Sequence, residues 1–192
     1  MSFYIFTTFL IAYGTNPAGL ALPRGTMLSA VLISAVLMIP ALLIAADLSD
    51  RHGRRRIFTA GAVLVGVWGF VLFPMIDTGS FLLITLSMTI GQIFFAMMYD
   101  PQAALLAEMF SARVRYSGAS LGYQMGAILG GALAPMIATA LVARFGTALA
   151  VSVYIAVACL ITVISITLLG ETNRGTQPAA DVTTGGGEPA RA

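Results

Sequence analysis

Asp50-Arg51-His52-Gly53-Arg54-Arg55-Arg56 separates two apolar windows, Thr26–Ala46 and Ile57–Ile76, and this arrangement decides the fold. Neither window holds a charged side chain. At a rise of about 1.5 Å per residue, each is long enough to cross a hydrocarbon core about 30 Å thick. Three further windows share the property: Phe81–Tyr99, Ser117–Ala143 and Thr147–Gly170. In lipid only helices or closed barrels satisfy their backbone polar groups, and the alternating strands of a barrel are not visible here. The windows therefore predict helices.

Composition points the same way. The chain has 192 residues, of which 58% are hydrophobic and 9% charged. A water-soluble domain carries about 25% charged residues, so most of this chain does not face water. One Cys and a net charge of +2 exclude a disulfide-stapled domain and a nucleic-acid-binding one. Such hydrophobicity also excludes a disordered chain. Working outward from the Arg-rich turn, the expected architecture is all-α. It is a polytopic membrane bundle of about six transmembrane helices, near residues 1–22, 26–47, 57–76, 81–104, 117–143 and 147–170. The first is interrupted toward its end by Gly14, Asn16, Pro17 and Gly19. Residues 175–192 are rich in Gly, Thr, Pro and Ala without periodicity, and read as a disordered tail.

Arginine sets the expected orientation, because short cytoplasmic loops collect basic residues. Arg51, Arg54, Arg55 and Arg56 share one loop, and Arg113 and Arg115 share another. Six spans put both loops on one side. Both termini then face the cytoplasm, in a multi-pass protein of the plasma (inner) membrane. In the first loop Gly53 permits a tight turn, Asp50 can pair with an arginine, and the guanidinium groups can grip carboxylates bidentately.

Asp50-Arg51-His52-Gly53-Arg54-Arg55-Arg56 resembles the cytoplasmic loop signature of the major facilitator superfamily, with Ala46 where that pattern has Gly. A second stretch carries the likeness further. Tyr99-Asp100-Pro101-Gln102-Ala103-Ala104, continuing through Glu108 to Arg113, Arg115, Gly118, Gly122, Tyr123 and Gln124, resembles spans 10 to 11 of the metabolite–proton symporter branch. Asp100 stands where that branch has Gly, and Ser111 where it has Pro. Gly170-Glu171-Thr172-Asn173-Arg174-Gly175 is similar to the signature closing the last span of sugar-porter-like members. The resemblance is to the C-terminal six-span half of a twelve-span fold.

The resemblance implies that Asp50, Arg54, Arg55, Glu108, Arg113 and Glu171 form an ion-pair network at the cytoplasmic gate, with Arg51, Gly53, Arg56 and Arg115 completing the loop signatures. The residues alone leave Glu108 and Arg113 open to a plainer role as interfacial helix-end charges. Gly118, Gly122, Gly126 and Gly130 recur every fourth residue, a small-residue stripe that permits close helix packing in lipid. Pro135, further along, predicts a kink. Polar groups inside spans face a cavity or another helix. Tyr4, Thr7, Asn16, Gln92, Tyr99, Asp100, Tyr123 and Gln124 are the candidates for a substrate-facing wall; each alone also fits a helix–helix hydrogen bond. For Asp100 the alternatives are a gating carboxylate and an interfacial helix-end charge.

Gly118-Ala119-Ser120-Leu121-Gly122 matches a hydrolase nucleophile pattern, but that pattern needs a strand-to-helix elbow and a triad, and here it opens an apolar helix. Cys159 stands alone in mid-span as a packing residue. No metal-ligand cluster and no phosphate loop with Lys is present; Lys is absent altogether. The resemblance implies a transporter rather than an enzyme, with no cofactor and the proton gradient as energy source. It implies uptake of a small polar metabolite, an organic acid or osmolyte, by alternating access. Its expected partners are the lipid bilayer, the small-molecule substrate and a missing N-terminal six-span half or partner chain, with no nucleic acid. The alternatives are a non-transporting truncated remnant and a split half-transporter that needs a partner bundle.

Overall fold

A computed structural model of the chain describes residues 1–17, 19–108 and 115–172. Among them there is no strand. Helix α1 is Ser2–Gly14, α2 is Arg24–His52, α3 is Arg54–Asp77 and α4 is Phe81–Glu108. Helix α5 runs as Arg115–Ala127, a π-helical turn Ile128–Ala132, and Leu133–Phe145. Helix α6 is Leu149–Thr172. Apart from α1, each has the length and apolarity to cross a membrane. The fold is thus an all-α bundle of about six spans.

Helix α1 stops at Gly14, well short of Leu22. The chain turns back there, the Leu22 N–H donating to the Gly14 carbonyl at 2.9 Å. Asn16 and Pro17 end the helical run, and Pro23 fixes the backbone at the entry to α2. Ile5–Phe9 within α1 is itself a π-helical turn. At the other end of α2 a single residue, Gly53, joins it to α3. Its φ of 93° and ψ of 129° lie in a region that glycine adopts far more readily than other residues. In α5 the distortion precedes Pro135 and takes the form of the π-helical turn at Ile128–Ala132. A π-bulge absorbs the backbone mismatch that a proline imposes on the preceding turn.

Helices α3 and α4 form the centre. Helix α4 packs most extensively on α2 and α3, and α3 also packs on α6. The core joins Phe6 and Leu10 of α1, Val65, Leu72 and Phe73 of α3, Ile84 and Met88 of α4, and Val151 and Ile155 of α6, all buried. Two polar contacts between helices tighten it. The Ser152 hydroxyl donates to the Gly69 carbonyl at 2.7 Å, and Trp68 Nε1 donates to the Ser87 carbonyl at 3.0 Å. Ser87 in turn donates to the Ile84 carbonyl within its own helix at 2.8 Å. Hydroxyls that bond back to their own helix, as Thr85 and Thr89 also do, satisfy themselves in an apolar span without recruiting a partner. Helix α5 is the least enclosed: 12% of its most apolar window is buried, against 50% for α3.

Candidate functional site

The Arg-rich end is built by the Gly53 turn. Gly53 leaves no room for slack, so Asp50 and Arg54 face each other across it, with Arg54 Nη2 3.7 Å from Asp50 Oδ1. Arg51 Nε donates to Asp47 Oδ1 at 2.9 Å. Both pairs are largely exposed, and such pairs are each worth about 0–1 kcal/mol. His52 Nδ1 lies 3.3 Å from the Leu48 carbonyl. Around the turn, Ser49, Asp50, His52, Arg54, Arg55 and Arg56 line a cleft of about 540 Å³, which Leu105 of α4 closes on one side. Glu108 ends α4, Arg115 opens α5 and Glu171 lies in the last turn of α6, so helix alternation carries all three toward this end. Arg113, like the side chains of Glu108, Arg115 and Glu171, lies outside the described residues. Asp47 belongs to this end too; its spacing of four from Arg51 on a helix was the available signal.

On one side of the bundle α1, α4 and α5, with Met38 of α2, line an open cavity of about 480 Å³ whose tyrosines are exposed. Tyr4, Tyr99 and Tyr123 meet there, from three different helices. Tyr123 lies next to Tyr99. Phe3 and Phe95 stand 5.8 Å apart between ring centres, and Phe95 and Tyr99 stand 5.7 Å apart. Gln102 adds an amide that sequence reasoning missed; it sits three residues from Tyr99, one turn further along the same helix face. Among the described residues no charged side chain lines this cavity, which the amino-terminal Met1 borders.

The remaining candidates lie elsewhere. The Thr7 hydroxyl donates to the Phe3 carbonyl of its own helix at 2.8 Å. Gln92 is buried at 1% exposure with no hydrogen-bond partner for Oε1. Asp100 is half-buried and Gln124 exposed, neither lining the cavity. Asn16 lines a separate cavity of about 550 Å³ at the opposite end of the bundle. Asp77 borders that same cavity, and the Tyr13 hydroxyl donates to Asp77 Oδ1 at 2.7 Å, tying α1 to α3. This contact spans 64 residues and had no local signature.

The four glycines of the stripe meet different surroundings. Gly130 does make a close contact, since a Cβ there would sit 2.9 Å from the Met1 nitrogen. Gly126 meets nothing within 4 Å, and Gly122 meets only Leu106 Cδ1 at 3.9 Å. Both glycines line the tyrosine cavity. Gly118 is half-buried. Among the described residues no helix packs closely on Gly122 and Gly126, which border the cavity instead.

The family model described as Major Facilitator Superfamily matches residues 1–189. The chain belongs to this superfamily. Within it, the chain is similar to a shikimate transporter of Escherichia coli, 33% identical over 176 residues that cover 91% of this chain and 40% of the relative. It is also similar to the inner membrane metabolite transport protein YhjE of Escherichia coli, 32% identical over 176 residues, 88% of this chain and 39% of the relative. The chain thus spans about two fifths of the length of these curated relatives. No solved structure is detectably similar. Superfamily membership and the long apolar helices make this a multi-pass membrane protein.

Proposed function

We propose that the chain is the C-terminal six-span half of a secondary active transporter that takes up a small polar metabolite, an organic acid or osmolyte, coupled to protons. The observation that carries this reading is the tyrosine-lined cavity between α1, α4 and α5. Three hydroxyls and the Gln102 amide converge there from separate helices, as a wall that contacts a polar solute must arrange. The shikimate transporter and the metabolite transport protein among the relatives support the substrate class. In this reading the protein works by alternating access, two bundles rocking around a shared site. The Arg-rich end is cytoplasmic, and Asp50, Arg54 and Arg55, together with Glu108, Arg113 and Glu171, bias the closed state of the gate. The protein is a transporter and not an enzyme, and the proton gradient is its energy source.

A second reading is a half that works only with a partner bundle, or an inert remnant. One experiment addresses both. The chain is reconstituted into proteoliposomes alone and together with a six-span N-terminal half, and uptake of labelled shikimate is followed under an inward proton gradient. Uptake is expected only from the paired halves, and Asp50→Asn should impair it while leaving membrane insertion intact. Uptake by the chain alone refutes the half-transporter reading. Unchanged uptake with Asp50→Asn refutes the gate, and no uptake from the pair leaves the remnant reading standing.

A further inference from the structure

Two π-helical turns lie at the base of one cavity, the space of about 550 Å³ at the end of the bundle opposite Gly53. One wall of that cavity is the Leu10–Gly14 segment of α1, lined by Ala12 and Tyr13. Another is the Leu133–Phe145 segment of α5, lined by Thr139 and Val142. Each wall begins at the residue that follows a π-helical turn, Ile5–Phe9 in α1 and Ile128–Ala132 in α5. The two turns adjoin. Ile5–Phe9 packs on Leu133–Phe145, and Ser2–Tyr4 packs on Ile128–Ala132. A Cβ on Gly131 would lie 2.8 Å from Tyr4 Cε2, so the missing side chain lets the helices meet there. π-Bulges are among the few places where a helix bends sharply, and a few such residues suffice to form a hinge.

The contacts that hold the α1 wall are of two kinds. Most are apolar and can slide. Tyr13 meets Phe73 edge-on with ring centres 5.7 Å apart, and Phe9 does so at 6.3 Å. Gly14 lies against the side chain of Met27, which is flexible and repacks readily. Leu10 is fully buried, but it adjoins the π-helical turn and is displaced least by a bend there. The directional contact is at the tip, where the Tyr13 hydroxyl donates to Asp77 Oδ1 at 2.7 Å. Hydrogen bonds to a carboxylate are shorter and stronger than neutral ones. Asp77 is the last residue of α3, the most buried span, so this bond fastens a bendable segment to the rigid centre. We propose that Leu10–Gly14 is a swinging wall of the cavity, hinged at Ile5–Phe9 and latched by Tyr13 to Asp77. Release of the latch lets the tip of α1 swing and changes the width of the cavity. The device is built into this bundle and does not depend on transport, so it stands or falls separately from the proposed function.

The test measures spin-label distances by pulsed electron paramagnetic resonance on the full chain in lipid nanodiscs, in a Cys159→Ala background. One pair, Ala12→Cys with Leu82→Cys, reports on the wall beyond the hinge; Leu82 is exposed in the first turn of α4. A second pair, Phe3→Cys with Leu82→Cys, reports on α1 before the hinge. The parent chain is expected to give one distance for each pair. Tyr13→Phe keeps the ring on Phe73 and removes only the hydroxyl. It should raise the population of a second, displaced Ala12 distance about tenfold, the reach of one hydrogen bond to a charged group, and leave the Phe3 distance unchanged. Asp77→Ala should act alike. Asp77→Asn keeps an acceptor oxygen and should stay close to the parent. Should Asp77→Ala fail to fold, Tyr13→Phe alone decides. An Ala12 distance that ignores Tyr13→Phe overturns the latch. An equal displacement of the Phe3 pair overturns the hinge, because α1 then moves as one rod.

Discussion

Helices α3 and α5 are both rich in glycine, and they use it in opposite ways. In α3 a Cβ on Gly61 would lie 2.9 Å from Met98 Cγ and 3.1 Å from the Phe94 carbonyl oxygen. On Gly66 it would lie 3.3 Å from Cys159 Cβ. These glycines let α4 and α6 approach closely, and α3 becomes the most buried span. In α5 a Cβ on Gly126 would meet nothing within 4 Å. There the missing side chains widen a cavity beside Tyr123. Small residues in a membrane helix therefore mark either a contact or a void, and only the neighbouring helix decides which.

Substitutions can break this contrast. Gly61→Ala should destabilise the bundle by about 1–3 kcal/mol, the usual cost of overpacking, because one obstructing atom is backbone and cannot step aside. Unfolding in detergent, followed by helicity, would measure it; a neutral result would mean that α3 and α4 are not in close contact. Gly126→Ala should act in the other direction and stabilise by up to about 1 kcal/mol, through helix propensity alone. The same variant narrows the tyrosine cavity, so in the paired transporter it should raise the KM for substrate. A destabilised Gly126→Ala would show that the stripe packs after all. The smallest effect is expected from Ser152→Ala, which removes the hydroxyl bound to the Gly69 carbonyl. Hydrogen bonds between membrane helices average about 0.6 kcal/mol. A much larger loss would mean that polar contacts, more than close glycine packing, hold α6 to α3.

Charge-free windows made the long helices legible, because a span in lipid must be apolar over its whole length. The Gly53 turn was legible for a similar reason: one glycine between two helices and a string of charges leaves few conformations. The early end of α1 was foreshadowed by Gly14, Asn16 and Pro17. What escaped reading depends on the third dimension. Tyr4, Tyr99 and Tyr123 were marked as polar residues within spans, yet so were Thr7, Asn16, Gln92, Asp100 and Gln124, and helical spacing does not separate the three that gather from the five that do not. The Tyr13–Asp77 bond joins residues 64 apart, with each end looking like an ordinary helix terminus. The Gly118–Gly130 stripe has the right spacing for packing, but spacing carries no information on whether a neighbour is present.

The single-residue turn at Gly53 has a mechanical consequence. A joint that short ties the ends of α2 and α3 together, so any tilt of α2 about it is magnified at the far tip. Helix α2 has 29 residues, about 43 Å of arm at 1.5 Å per residue. A tilt of about 5° at the turn sweeps its far tip through about 4 Å at that arm length, enough to open or shut a passage for a small solute. Amplitude at one face of the membrane would then be set by an adjustment too small to notice at the other.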